Sequence, residues 1–549
     1  MFHVLSRSAI FGLALLDFTA AANYNFDIGW VTTNPDGRQP RPIIAVNGRW
    51  PNPEIRVMKG ETISVNVKNS LGNESTSLHW HGFFQRDNNQ YDGPVGVTQC
   101  PIPPGSSYRY EIEAKRPGTY WYHSHSAGQS GDGLRGPLIV EDPDSPYADV
   151  IDDELPVMTL SDWYHDQIPP LIDFYQSTTA NPDGGEPVPY SLLMNDGTTA
   201  QFKVKTKRTY LLRIINVSAF AQVFLAIDQH NMTIIEADGG YTKPKTVQHL
   251  YISTAQRYSV LIRTHDKPTQ NFAILGMMDT GAFDNVPSYL DTNVTGHLVY
   301  DSKLPLPSAP SVPVWQLVDD LSLEPIPARK ALGPVDHKVN LDLDFFTDFD
   351  ENRAGFNGIT YVPQLVLTLY TVLSAPKDLV QDSRIYGNHS NSYVLKKDEI
   401  VEVTITNYDD GFHPLHIHGH APQIISRTTV PVPEGAVVDS SGITHSDSNP
   451  MRRDVWMLAP NGATTIRFKA DNPGVWLLHC HMDAGLSMTF VEAPKALQNQ
   501  QSGIDPAMKR LCAAQGISTV GNAGGNSKDW LDLSNAPTKA TGSHGALYP

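Results

Sequence analysis

Four His-x-His pairs punctuate the chain, His79/His81, His123/His125, His416/His418 and His479/His481, and the last pair encloses Cys480. On a β-strand alternate side chains share a face, so each pair can aim two imidazoles one way while the residue between them points the other way. Eight histidines could thereby converge on one metal cluster, with Cys480 leaving its strand toward a second site on the opposite side. Its backbone would then be a short covalent path between two metal centres, which suits electron transfer. Imidazole-rich sites favour copper, zinc, iron or nickel, and a thiolate combined with histidine is the blue-copper pattern. Zinc has no redox chemistry, and a closed structural zinc site needs four ligands and no electron relay. One such pair alone would more simply be two surface or satisfied histidines. Four pairs in two separated segments point instead to redox copper.

Pairs of this kind need strands to carry them. Short alternating segments, such as residues 62–67 (TISVNV), 400–405 (IVEVTI) and 465–470 (TIRFKA), are separated by turns rich in Gly, Pro, Asn and Asp, the pattern of an all-β sandwich protein. With 42 Pro and 41 Gly, long helices should be few. Residues 117–125 (PGTYWYHSH) match 473–481 (PGVWLLHCH), and 60–69 (GETISVNVKN) match 398–407 (DEIVEVTITN), so the first and last domains read as copies of one fold. Ser124 holds in the first copy the place of Cys480 in the last, so only the last can supply a thiolate. The region between has His165, His230, His249, His265 and His297 but no His-x-His pair. A copper-free middle domain is expected there, spacing the outer two so that their histidines meet at an interface. The expected organisation is domain one at 23–145, domain two at 146–300, a Pro-rich linker at 301–335, domain three at 336–495 and a tail at 496–549.

At 549 residues the chain accommodates roughly three or four domains with proper cores. A formal charge of −17 argues against a phosphate-binding surface and against nucleic acid as partner. Residues 9–22 (AIFGLALLDFTAAA) follow Arg7 and end in small residues, so 1–22 reads as a signal peptide cleaved near Ala22. Asp17 interrupts that run, and a buried first strand or helix is the alternative. No later stretch is apolar for long enough to span a bilayer, and the final residues (KATGSHGALYP) are neither an anchor nor a lipidation signal. A secreted, extracellular or cell-surface monomer without a membrane anchor is therefore expected. Glycosylation sequons at Asn73, Asn216, Asn231, Asn293 and Asn388 support export. Three cysteines in an exported protein leave one odd thiol; with Cys480 among the ligands, Cys100 and Cys512 are the natural disulfide pair, tying the tail back to the first domain. The alternative is that both stay reduced and buried.

The segments LHWHGFFQ (78–85), YWYHSHSAGQ (120–129), HPLHIHGH (413–420) and HCH (479–481) together resemble the multicopper oxidases, and the similarity extends over essentially the whole mature chain. VTQCPIPPG, NFAIL, NPMRRDVW and RFKADNPGVW are similar to the fungal iron-transport ferroxidases and their laccase-like relatives. The resemblance implies three cupredoxin-like Greek-key sandwich domains and four copper ions: one type 1 in the third domain, and one type 2 and two type 3 in a cluster between the first and third. By position, His79 and His416 resemble the type 2 ligands, and His81, His123, His125, His418, His479 and His481 the type 3 ligands. Cys480 and His413 resemble the type 1 ligands, with Leu486 as axial neighbour. Electrons from a reducing substrate would enter at the type 1 site, pass through Cys480 to its flanking histidines, and reduce O2 to water. Asp92, in YDG, resembles the family's acidic residue beside the cluster, where a carboxylate could help deliver protons. It also suits a turn before Gly93.

One departure matters. The family continues past the cysteine with a spacer and a second type 1 histidine, whereas this chain runs HCHMDAGLSMTF, about four residues short, and no histidine follows His481 in that segment. The sequence therefore leaves open whether His481 is a cluster ligand or a displaced type 1 ligand. Met482, Leu486 and Met488 are near, yet none replaces an imidazole. A mis-spliced gene reading, a natural variant with an altered type 1 site, and a copper-binding but catalytically impaired protein all fit.

Two reducing substrates fit the scaffold. Ferroxidases of the family use carboxylates near the type 1 site to bind Fe(II), and Glu186 (GGEPVP) and Asp284 (AFDNVP) match two of those positions; Asp447 (THSDSNP) matches the third poorly because its loop is shorter. Each could also be a solvated loop acid. Iron-uptake members of the family carry a C-terminal membrane span, and none is visible here. The sequence reading therefore leans to a laccase-like oxidase of phenols or naphthols, as in pigment or secondary-metabolite coupling, with ferroxidase as the alternative.

Overall fold

The computed structural model describes residues 21–439, 447–482 and 485–539. Most of the expected signal peptide lies outside these residues; Ala21 and Ala22 open the first strand, Ala21–Thr33. The architecture is all-β, built as three two-sheet sandwiches of the cupredoxin type. Alternation in the sequence becomes alternation in burial: Ser107–Glu113 and Ile400–Asn407 bury every second side chain, as strands with one face on a core must. Helices are short, the longest described being the nine-residue Ile168–Gln176 and Pro506–Ala514.

The internal repeat extends to strand register. In the first domain, Ala21–Thr33 runs parallel to Thr62–Asn69, which pairs antiparallel with Ser107–Glu113. In the third, His337–Asp348 runs parallel to Ile400–Asn407, which pairs antiparallel with Ala463–Lys469. The second sheets also correspond: Ile55–Met58, Arg135–Glu141, Gly118–His123 and His79–His81 are neighbours in that order, as are Ser392–Leu395, Ser487–Glu492, Gly474–Cys480 and His413–Ile417. The middle region forms a seven-stranded and a five-stranded sheet around its own core.

Cores cross the expected boundaries. The core of the first domain, with Trp80, Tyr110 and Leu138, continues into Val475, Leu477, Met508 and Leu511, so the first and third domains share apolar packing. The tail is pinned there by the Cys100–Cys512 disulfide, as the cysteine arithmetic anticipates. Segment 301–335, expected as a linker, holds a strand of its own: Trp315–Val318 pairs in parallel with Ala436–Asp439, and the Trp315 ring stacks on Phe224 at 4.9 Å. The proline density around it masks that strand, because its pairing partner is remote in sequence. No described helix is long and apolar enough to cross a membrane.

Candidate metal centre

The four pairs arrive on matched strands. His79–His81 lies antiparallel to Gly118–His123, placing His79 opposite His123. Likewise His413–Ile417 lies beside Gly474–Cys480, placing His416 opposite His479 and Leu415 opposite Cys480. All eight imidazoles are buried and meet across the interface of the first and third domains. Ring centroids of His79 and His418 are 4.0 Å apart, those of His81 and His416 3.8 Å, and those of His125 and His479 5.3 Å. Ligand atoms of His79, His416 and His418, of His79, His81 and His123, and of His125, His418 and His479 lie within 4.8 Å of one another in each group.

Hydrogen bonds orient the rings. The Nδ1–H of His79 donates to the Asp92 carbonyl at 2.7 Å, and those of His123, His416 and His479 donate to the carbonyls of Ser124, Asp454 and Cys480 at 2.9 Å. His418 Nδ1 lies 2.8 Å from the Asp92 carboxylate. Each bond fixes the tautomer that turns the Nε2 lone pair inward. The Nε2 atoms of His79, His123 and His416, and both ring nitrogens of His81, His125 and His481, are buried without a hydrogen-bond partner. Those of His418 and His479 face each other at 3.3 Å. So many orphaned buried nitrogens aimed at one volume would be costly in an ordinary core. A donor set of inward imidazoles fits copper, and copper would satisfy them together.

Burial, reinforced by neighbouring imidazoles, holds His81, His123, His125, His416, His418 and His481 well below the usual histidine range, and His479 at about 4. These rings are neutral at physiological pH, the form that ligates a metal. Burial also raises the Asp92 carboxyl, which is fully enclosed. The turn following Asp92 is tight: a Cβ on Gly93, whose φ is 109°, would lie 2.1 Å from the Leu78 carbonyl oxygen. Asp92 is thus at once a turn residue and a brace for His79 and His418.

A second buried carboxylate, Asp454, was not marked by sequence reasoning, although it sits inside NPMRRDVW. Its Oδ1 lies 3.3 Å from His81 Nε2, and Arg257 grips both its oxygens at 2.6 and 2.7 Å. Burial works against the Arg257 cation, but Asp454 and Asp238 more than offset this and keep it charged. Arg257 comes from the middle domain, which therefore does more than space the outer two: it supplies the partner of a carboxylate that touches the cluster.

Cys480 points to the other side of its strand, into a core shared with Leu486 and Met488, with Met482 packed against it. It is not disulfide-bonded. His413 Nδ1 is 3.8 Å from its Sγ, and His413 Nε2 is 2.9 Å from Asp409 Oδ2. The His481 ring lies 5.3 Å from those of both His81 and His123, on the cluster side. Among the described residues, no group of three ligating side chains includes Cys480. Met482 Sδ accepts a hydrogen bond from Gln222 at 3.2 Å.

Beside His413 opens a cleft of about 610 Å³ whose lining includes Glu186, Asp284, Asp409, His413 and Met482. Glu186 and Asp284 are therefore brought together as expected. Asp447 is not: it is exposed and does not line this cleft, its backbone carbonyl accepting from Ala331. Asp183, Asp409 and Asp410 line the cleft as well, and Asp409, four residues before His413, is the one bonded to that ring. A further correction concerns Asn216, whose buried amide donates to the carbonyls of Ala221 and Ile252 and has no room for a glycan. Asn73, Asn231, Asn293 and Asn388 are exposed.

Family models described as multicopper oxidase match residues 27–145, 154–303 and 361–496. This chain is a multicopper oxidase. The oxidase is 46% identical over 539 residues to the iron transport multicopper oxidase FET3 of Gibberella zeae, covering 96% of this chain and 86% of that one. It is also 46% identical over 526 residues to the iron transport multicopper oxidase fetC of Epichloe festucae, covering 94% and 84%. Among solved structures it resembles Fet3p, a multicopper oxidase that functions in iron import, with a TM-score of 0.88, 38% identity and coverage of 93% and 98%. The laccase of Botrytis aclada matches with a TM-score of 0.75, 28% identity and coverage of 90% and 92%. Multicopper oxidases of this kind bind four coppers, of types 1, 2 and 3.

Proposed function

We propose that this multicopper oxidase is a ferroxidase, coupling oxidation of Fe(II) to Fe(III) with reduction of O2 to water. The observation that carries the reading is the carboxylate-lined cleft at His413, where Glu186, Asp284 and Asp409 gather. Carboxylate oxygens bind Fe(II) and favour the harder Fe(III) still more, which makes loss of the electron easier. The iron-transport relatives support the same choice over the laccase-like reading.

In this reading His79 and His416 hold the type 2 copper, His81, His123, His125, His418, His479 and His481 the type 3 pair, and Cys480 with His413 the type 1 copper, with Leu486 beside it. When bound, the coppers supply the one-electron acceptor and the four-electron reduction of O2. The protein does the rest. Asp409 joins the substrate cleft to His413 through its 2.9 Å hydrogen bond, and Cys480 is bonded through its backbone to His479 and His481. Asp92, whose buried Oδ1 lies 3.4 Å from His79 Nδ1, holds a carboxylate beside the cluster that could deliver protons. The exposed sequons fit an exported enzyme.

The experiment is a comparison of kcat/KM for Fe(II) and for a phenol in copper-loaded protein, repeated with Glu186→Ala/Asp284→Ala/Asp409→Ala. The reading requires the triple variant to lose Fe(II) oxidation selectively. A second reading, copper binding without turnover, is favoured by the segment HCHMDAGLSMTF, which places no histidine after His481 where the family has its second type 1 ligand; copper-loaded protein that is colourless and consumes no O2 would establish it.

A further inference from the structure

A second cleft, of about 430 Å³, is lined by all three domains, through Gly82 and Arg116 of the first, Tyr241 of the second and Arg452 of the third. Its charge is opposite to that of the molecule. In a chain of net charge −17, the lining carries Arg86, Lys115, Arg116, Arg329 and Arg452 against a single carboxylate, Glu113. Glu113 pairs with Lys115, and Arg86 pairs with Asp471 at 2.7 Å. Among the described residues none of the three remaining guanidiniums forms an ion pair, whereas Arg257, Arg427 and Arg453 are each paired.

Two further observations point to an acceptor-rich occupant. The buried polar atoms left without a partner on this lining, Arg116 Nη1 and Gln85 Nε2, are both donors. Arg116 is also held in place, its guanidinium lying 4.1 Å over the Phe84 ring. Burial, together with the charges of Arg329 and Arg116, lowers Arg452 to about 10, so the cations repel one another even though the Arg452 guanidinium donates to the Pro327 carbonyl at 2.8 Å and to Asn449 Oδ1 at 3.3 Å. An anion there would relieve that repulsion and meet planar, forked donors suited to carboxylate or phosphate.

We propose that this cleft binds a small, multiply charged oxyanion, a phosphate or a polycarboxylate, held by Arg116, Arg329 and Arg452. Its volume suits a small molecule rather than a folded partner. The floor of the cleft is Gly82, where an added Cβ would lie 2.5 Å from Arg257 Nη2 and 3.1 Å from Asp454 Oδ2, so the occupant would sit directly behind the carboxylate that touches His81. The proposal is independent of which reductant the enzyme uses.

Calorimetric titration of the copper-loaded enzyme with inorganic phosphate and with citrate, at constant ionic strength made up with chloride, tests it. One saturable site is expected for at least one of the two, and the tighter one identifies the source. Arg116→Gln and the pair Arg329→Gln/Arg452→Gln should each weaken binding about tenfold or more, as loss of charge-assisted bonds does. Glu113→Gln should tighten it, which guards against a variant that merely misfolds. Absence of a saturable site for both anions, equal affinity in the arginine variants, or binding of an acidic peptide alone would overturn the proposal.

Discussion

Asp409 acts at the scale of one hydrogen bond. Its Oδ2 sits 2.9 Å from His413 Nε2, and the residue lines the cleft shared with Glu186 and Asp284. Asp409→Asn keeps the shape but removes the charge that attracts a cation, so kcat/KM for Fe(II) should fall about tenfold or more while that for a neutral phenol changes little. Equal losses on both substrates would assign Asp409 to His413 alone. The histidines and Cys480 were legible in the sequence because strand geometry gives His-x-His a meaning without knowledge of neighbours. Asp409, Asp454 and Arg257 were not, because a carboxylate or a guanidinium acquires its role here only from residues brought to it by the fold. The sequon at Asn216 misled for the same reason: the motif is local, and burial is not.

At the scale of elements, function rests on register. His79 faces His123 and His416 faces His479 because the repeat preserves both sheets, and a one-residue slip would turn every ligand to the wrong face. Gly93 guards that register by letting the Asp92 turn close on Leu78. Gly93→Ala forces its Cβ against the Leu78 carbonyl at a φ that L-residues avoid, so it should cost about 1–3 kcal/mol or more and lower the copper bound per chain. Thermal unfolding and copper analysis read the two effects separately; a variant with native Tm and full copper would show that the turn is slack. The alternating strands and the duplicated sheets were readable from period-two patterns and from PGTYWYHSH against PGVWLLHCH. The strand Trp315–Val318 was hidden in a proline-rich segment, since nothing within that segment announces Ala436–Asp439 as its partner.

Across the whole molecule, buried charge stitches the middle domain to the third. Arg257 holds Asp454, and Arg453 is held by Asp238 and by the half-buried Asp320. Arg257→Met leaves Asp454 uncompensated beside His81 and should destabilise the protein by about 3–5 kcal/mol in denaturant unfolding, with Arg257→Met/Asp454→Leu recovering most of the loss. A single variant as stable as the double would remove the pair from the account. The disulfide closes the molecule end to end; Cys512→Ala should cost about 2–5 kcal/mol and loosen the tail helix Pro506–Ala514, seen as faster proteolysis there. What the chain length and motifs conveyed was three domains with metal at the outer two; that the middle one reaches the cluster through Arg257 required the assembled fold. The central claim is that these parts make an iron-oxidising centre. It is tested most directly by following O2 uptake and Fe(III) formation together in the copper-loaded enzyme, with a phenol as the competing reductant. Four Fe(II) should be oxidised per O2, as electron balance demands, with a higher kcat/KM for Fe(II) than for the phenol; phenol oxidation outrunning Fe(II), or no O2 uptake with Fe(II), would show that the cleft is not an iron-oxidising centre.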